Sequence, residues 1–415
     1  MISYIRKVKK CEEFIMRILS VIAQKPDSTG SGVFLTELVK GFDKAGHQQA
    51  IICGTVHRDV IQFPANVAVF PVYYQSHDVP FPVCGMSDEM PYKSTRYCDM
   101  NERMTDQLFR AFRKQIVEAV EVFRPDVILC HHLYFLAALV RELYPGIPVY
   151  GQCHGSDLRQ FLKNPWQHEW ILSQIPKLNG IIALHEEQKK QICFIYGIPE
   201  DKVHVLGTGY NSDVFFVDEA VKQARRSEKI RLIFAGKLSE KKGVMSFLKA
   251  MHYVRQPELY EIAFAGGYGN EEEYAQILRL AEEAPCDVTF LGKLTHPQLA
   301  REMNNSDVFV LPSFYEGLPL VLIEAMACGL QAVCTDLPGI RPWMNRAVPE
   351  HGVLFVKPPE MENADEAIPE SLPEFERRLA AAIDTVGFMP APNLEQICQV
   401  SWDALCGKIV SIWNH

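Results

Sequence analysis

Short apolar runs alternate with amphipathic stretches along almost the whole chain, and the series runs through twice. In the first half the runs predict strands at Arg17–Ala23, Gln49–Gly54, Asp126–His131, Pro148–His154, Gly180–Leu184 and Val203–Gly207. Between most of them the apolar period lengthens to that of a helix, as in Val33–Ala45, Met104–Phe123 and Glu186–Tyr196. Apolar runs without strict alternation, separated by helices, belong to a parallel sheet covered on both faces. The second half repeats the order, with strands expected at Arg231–Ala235, Glu261–Ala265, Val288–Leu291, Val308–Leu311, Ala332–Thr335 and Val353–Val356. Helical patterns follow there too, at Gly243–Tyr253, Glu271–Glu283, Pro297–Met303 and Pro319–Cys328.

The pattern therefore predicts an α/β protein of two Rossmann-like, doubly wound domains, at 16–207 and 208–390. An extension, 1–15, precedes them, and a helical tail, 391–415, follows with an amphipathic helix at Trp402–Trp413. The join falls at Gly207-Thr208-Gly209, flexible enough for a hinge. Pro71–Asn101 matches no element and reads as a long surface insertion. Lys357–Pro369 reads as an acidic loop.

The formal net charge of −9 argues against a nucleic-acid partner, which draws a basic surplus. The twelve cysteines include no C-x-x-C pair, and most sit in apolar segments, as buried thiols of a reducing compartment do. No run approaches the roughly 18 apolar residues of a bilayer span, and no signal peptide is visible. The expected location is the cytoplasm. Arg6, Lys7, Lys9 and Lys10 are either an arm for anionic lipid, which would put the protein at the periphery of a membrane, or an extension without a role.

The most informative segment runs from Val310 to Gly329. A buried strand ends at Pro312, a loop follows, and a helix opens with Pro319 in its first turn and closes at Gly329. That helix is apolar on every side except for Glu324, and a lone buried carboxylate is costly unless it is bonded. Glu316 lies beyond the carboxyl end of the strand, where doubly wound folds bind ligands. The helix start directs unpaired backbone N–H groups at the same point, an arrangement suited to a diphosphate. Glu316 would then accept from sugar hydroxyls and Glu324 from a ribose. The alternatives are a solvated loop position for Glu316 and an internal salt bridge for Glu324.

The E-x7-E spacing in S-F-Y-E-G-L-P-L-V-L-I-E-A-M-A-C-G resembles the signature of retaining glycosyltransferases of the GT-B fold, glycosyltransferase family 4. The likeness extends over nearly the whole chain from Met16 and is strongest after about residue 200. It implies two Rossmann-like domains facing across a cleft, with a nucleotide sugar held mainly on the second domain and a glycosyl acceptor on the first. In Phe234-Ala235-Gly236-Lys237-Leu238-Ser239-Glu240-Lys241-Lys242-Gly243, Lys237 and Lys242 hold the places of the family's two cations for the donor pyrophosphate. Independently of family, two such cations on a loop after a strand neutralise a departing diphosphate. Lys237 stands where arginine is commoner, so its contact is a point charge rather than a bidentate fork.

The same resemblance implies a glycine loop at Gly30-Ser31-Gly32, with Gly30 and Gly32 near donor phosphate and Ser31 near the acceptor. It makes His154, in Cys153-His154-Gly155-Ser156-Asp157, a contact to the transferred sugar, while Asp157 either orients His154 or touches acceptor. Gly267 belongs to a second glycine loop, and Lys293 and Leu294 to the turn that reads the base edge. Leu318, Pro319 and Leu320 line the donor side of the helix start. No D-x-D triplet and no His/Cys cluster of metal-ligand spacing occurs, so no metal or other cofactor is expected. The expected reaction is metal-independent transfer of a hexose-type sugar from a nucleotide diphosphate, UDP above all, with retention. A nucleotide-sugar epimerase, a phosphorylase of similar fold and a non-catalytic scaffold remain as alternatives.

Overall fold

The computed structural model describes residues 15–414, apart from positions 27, 88, 89, 226, 317, 364 and 365. The basic arm read at Arg6–Lys10 lies outside the described residues. The chain forms two compact units. The first runs to Ala183, takes up Lys189–His204 and includes Trp413. The second consists of Leu184–Gln188 and Val205–Ile412.

In the first half, strands β1 (Arg17–Ile22), β2 (Gln48–Thr55), β3 (Ala68–Tyr73), β6 (Val127–His131), β7 (Val149–Gln152), β8 (Gly180–Ala183) and β9 (Val203–Val205) form one sheet in the order β3-β2-β1-β6-β7-β8-β9. The pairings from β3 to β8 are parallel. Strands β6, β7 and β8 are buried throughout, as continuous apolar runs require when helices cover both faces. One of those helices, Glu102–Phe123, shows how the sequence sets the packing. Leu108, Phe112, Ile116 and Ala119 recur every three or four residues and are buried together. Asn101 caps its start by accepting from the Met104 amide, and Arg124 ends it in a left-handed conformation. Truncating Phe112 to alanine would cost about 3–5 kcal/mol.

The second sheet comprises β10 (Ile230–Ala235), β11 (Tyr260–Ala265), β12 (Asp287–Gly292), β13 (Val308–Leu311), β14 (Gln331–Thr335) and β15 (Val353–Val356), in the order β12-β11-β10-β13-β14-β15. Every pairing in it is parallel. In both sheets the chain winds outward on one side and then returns to wind on the other. The reversal lies between β1 and β6 in the first sheet and between β10 and β13 in the second. At such a switch point adjacent loops part and leave a crevice beyond the strand ends.

Three local expectations need correction. Pro71–Asn101 is not a surface insertion. Pro71 lies in β3, an edge strand, where its missing N–H costs the ladder nothing. Beyond it Tyr74, Val79, Val83, Cys84 and Tyr97 are buried, and β4 (Cys84–Gly85) pairs with β5 (Thr95–Arg96). The glycines at the proposed hinge are packed rather than loose. A Cβ on Gly207 would fall 2.4 Å from the Trp343 indole nitrogen, and one on Gly209 would fall 2.7 Å from Trp402. The tail is no separate appendage either: residues 391–412 belong to the second unit, while Trp413 sets its ring, tilted, 5.5 Å from Phe42 and 6.0 Å from Tyr150 in the first. Among the described residues no helix is long and apolar enough to cross a membrane.

Candidate functional site

In the second unit the chemistry gathers at the switch point. Lys237 and Lys242 follow β10, and Glu316 follows β13, the strand beside it. What joins the two loops is Gly243. It takes φ +70°, and a Cβ there would lie 2.0 Å from the Pro312 carbonyl oxygen, so only glycine lets the β10 loop seat on the end of β13. The Phe314 amide donates to the Lys241 carbonyl across the same junction, at 3.0 Å. Lys242 closes the short 3-10 turn Glu240–Lys242, and its ammonium donates to Glu316 Oε1 at 2.6 Å and to the Tyr315 carbonyl at 3.3 Å. Ser313, fully buried, donates its hydroxyl to the same Oε1 at 2.8 Å. The carboxylate is thus held by one charged and one neutral donor.

Lys237 is exposed. A Cβ on Gly269 would fall 2.7 Å from its Cε, so the lysine stem lies along that glycine. Lys293 lies likewise against Gly267, whose added Cβ would be 2.4 Å from Lys293 Cε. The loops are tied by the Leu238 amide donating to the Gly267 carbonyl at 2.9 Å. The helix after Glu316 is Leu320–Ala327, with Pro319 at its N-cap. In its first turn the Leu322 amide donates to the Pro319 carbonyl at 3.2 Å, while the amides of Leu320 and Val321 precede any carbonyl the helix itself could offer them. Glu324 sits in the second turn of that helix, half-buried, and Leu294 and Leu318 are half-buried against the core of the second unit.

The first unit brings a second group together at its own switch point. His131 ends β6, His132 follows it, and His154 lies two residues beyond β7. The His154 ring is 4.8 Å from that of His132, and Phe34 meets it edge to face at 5.2 Å. His131 Nδ1 lies 3.1 Å from His154 Nε2. Burial, and then the neighbouring His132, pushes His131 down to about 3. Burial also lowers His132, and burial with the two neighbouring imidazoles holds His154 well below the ordinary histidine range. The three rings are therefore neutral near pH 7.

Three first-unit residues expected to touch ligand are occupied otherwise. Asp157 is fully buried, accepting from the Leu133 amide at 2.7 Å and the His154 amide at 3.2 Å. One carboxylate oxygen thus holds the Leu133 amide and the other the His154 amide, and the side chain is closed off from solvent. Gly30, Ser31 and Gly32 form the first turn of the helix Gly30–Lys44 rather than an open loop. The Gly32 amide is taken by Thr29 Oγ1 at 3.1 Å, and a Cβ there would meet the Lys25 carbonyl at 2.7 Å, so this glycine serves close packing. Ser31 donates to Gln24 at 3.0 Å and is buried, which removes it as an acceptor contact. Gly30 borders open space.

Ser313, His131 and His132 escaped the sequence reading. Ser313 carried a faint signal, a hydroxyl three residues before a strand-end carboxylate. The histidines carried none, because their partner His154 is supplied by another strand.

Two parallel doubly wound sheets, with a lysine–glutamate pair at the switch point of the second, are the GT-B fold of a glycosyltransferase. The chain belongs to glycosyltransferase family 4: it matches the model for Glycosyltransferase Family 4 over residues 28–214 and that for Glycosyl transferases group 1 over residues 215–381. It is 30% identical over 170 residues to a D-inositol 3-phosphate glycosyltransferase of Pseudarthrobacter chlorophenolicus, covering 39% of this chain and 40% of that one. The match thus spans about two fifths of that relative's length. Among solved structures, sucrose-phosphate synthase from Thermosynechococcus elongatus superposes with a TM-score of 0.64 at 16% identity, covering 96% of this chain and 98% of that one. Anabaena HepE in complex with UDP and glucose superposes with a TM-score of 0.61 at 14% identity, covering 96% and 99%.

Proposed function

We propose that the protein is a retaining, metal-independent glycosyltransferase that moves a hexose-type sugar from a nucleotide diphosphate, UDP above all, to a carbohydrate, lipid-linked or small polar acceptor. The observation that carries this reading is the Lys242–Glu316–Ser313 cluster at the switch point between β10 and β13. Its chemistry is that of a site for a sugar joined to a diphosphate: cations and the positive end of a helix for the phosphates, a fixed carboxylate for the hydroxyls. UDP is the nucleotide of first choice because the HepE neighbour is in complex with UDP and glucose.

In this reading the diphosphate competes with Glu316 for Lys242. As phosphate draws the ammonium over, Oε1 is released to accept from a sugar hydroxyl, with Ser313 keeping it in place. Glu324 accepts from the ribose. The bond from the anomeric carbon to the leaving phosphate oxygen breaks through an oxocarbenium-like state, and the acceptor oxygen bonds that carbon from the same face. The acceptor's proton passes to the departing diphosphate. Lys237 and Lys242 stabilise the charge that gathers on the leaving group, a preorganised contact of about 3–4 kcal/mol where one such donor has been removed in other enzymes.

A thermal-shift panel of nucleoside diphosphates and their sugars tests the reading. One nucleotide should stand out, since a ligand at 100 times its Kd stabilises by about 2.7 kcal/mol. Turnover of that donor with candidate acceptors in excess chelator should then proceed, with the product anomer read by proton NMR. A strict metal requirement, an inverted product, or epimerised donor in the absence of acceptor would each overturn it.

A further inference from the structure

His131 and His154 face each other through their ring nitrogens. Nδ1 of His131 and Nε2 of His154 are 3.1 Å apart, the ring centroids are 5.3 Å apart, and the planes differ by 14°. The centroid separation exceeds the nitrogen separation by about one ring width, so the two nitrogens lie between the rings and point at one another. That is the geometry of an N–H···N hydrogen bond. Both rings are neutral, so one proton lies between them, and the sole question is which ring supplies it.

The far side of His131 answers it. Its Nε2 is buried and has no hydrogen-bond partner. If His154 donated to His131, that sealed nitrogen would carry an N–H with no acceptor. If His131 donates, it carries only a lone pair. Buried N–H groups without an acceptor are rarer than under-satisfied acceptors in native proteins. A hydrogen bond at one nitrogen of an imidazole also fixes the tautomer at the other.

We propose that His131 is a positioning residue for His154: it donates from Nδ1 to His154 Nε2 and so holds the His154 proton on Nδ1. This deepens the reading of His154 as part of the glycosyl-transfer site and rests on it. His154 then presents a hydrogen-bond donor to a bound sugar and has no lone pair there with which to deprotonate an acceptor. Two further contacts hold His154: Phe34 meets the ring edge to face, and Asp157 accepts from the backbone amide of the same residue.

The test uses the full chain labelled with ¹⁵N in its histidine rings, with His154→Gln supplying the assignment. The expected spectrum of the unsubstituted protein has His154 protonated at Nδ1. In His131→Asn the side-chain amide nitrogen takes the place of Nδ1, so the tautomer and kcat are kept. In His131→Leu bulk remains but no donor does. There the His154 tautomers mix, and kcat falls about tenfold or more while the donor KM stays unchanged. A merely structural role predicts the opposite ranking, with Leu tolerated in the core better than Asn. His154 protonated at Nε2 in the unsubstituted protein, or equal behaviour of the two variants, overturns the proposal. Should the tautomer be as stated while His154→Gln keeps full activity, His131 still sets the tautomer, and it is the catalytic reading of His154 that fails.

Discussion

Lys242 Nζ lies 2.6 Å from Glu316 Oε1, the oxygen that also accepts from Ser313 Oγ at 2.8 Å. The cation assigned to phosphate and the carboxylate assigned to sugar thus satisfy each other when neither ligand is bound. The pair lies partly below the surface, so neither charge is left desolvated without a partner.

Removing either member should abolish transfer while leaving the fold. Lys242→Ala and Glu316→Ala are each expected to lower kcat by about 10²–10³ or more. The pair itself contributes only about 1 kcal/mol to stability at this exposure, so the melting temperature should move by a few degrees. Initial rates and thermal melts check both, and full activity in either variant removes the site.

Ser313 touches no ligand in the proposed mechanism and acts through Glu316. Ser313→Ala forfeits one hydrogen bond of about 1–1.5 kcal/mol, which predicts a rate loss of roughly fivefold to tenfold. The loss should vanish when Glu316 is already alanine, and a double-mutant cycle reads that coupling. Independent, additive losses would show that Ser313 does not act through the carboxylate.

Gly243→Ala should separate the two loops. The added methyl meets the Pro312 carbonyl, and alanine disfavours the φ of +70°. The expected result is a destabilisation of about 1–3 kcal/mol together with a raised KM for the donor, since the displaced loop carries Lys242 away from the place where it would meet the diphosphate. Unchanged kinetics would show that loop seating does not set the site.

The imidazole group predicts a pH dependence of stability. His131, His132 and His154 are all lowered from the ordinary value of 6.5, His131 to about 3. Below 6.5 the unfolded chain binds protons that the folded chain refuses. Their contribution is therefore complete above that pH and is lost as pH falls, by about 1.4 kcal/mol per pH unit for each ring that stays neutral. Asp157 opposes the effect at His132. Urea midpoints at pH 7.5 and 5.5 should differ accordingly, and His131→Asn should flatten the slope by about one proton. A flat profile in the unsubstituted protein would contradict the neutral cluster.

Much of this architecture was legible from residue patterns. Val308–Leu311 and Val353–Val356 were read at their observed ends, because apolar runs of that length admit little but a buried strand. Ala68–Tyr73 was passed over because it carries a proline and is only partly buried, the properties of an edge. The helix Ile340–Ala347 was missed for a similar cause, with Pro342 inside its first turn. At the site, Lys242 and Glu316 lie in local motifs and could be read one at a time. Their partnership could not, since it depends on Gly243 seating one loop on another strand. For Asp157 the residue pattern leaves an orienting and an acceptor role open, because spacing does not reveal that two backbone amides bond its oxygens.

Trp413 has a consequence for anyone who would take this protein apart. Between the two units the chain passes back and forth at Ala183, at Gln188, at His204 and once more just before that indole. No single scissor cut yields two self-sufficient halves. A fragment ending at His204 would lack the ring that covers Phe42 and Tyr150, and would expose both to water.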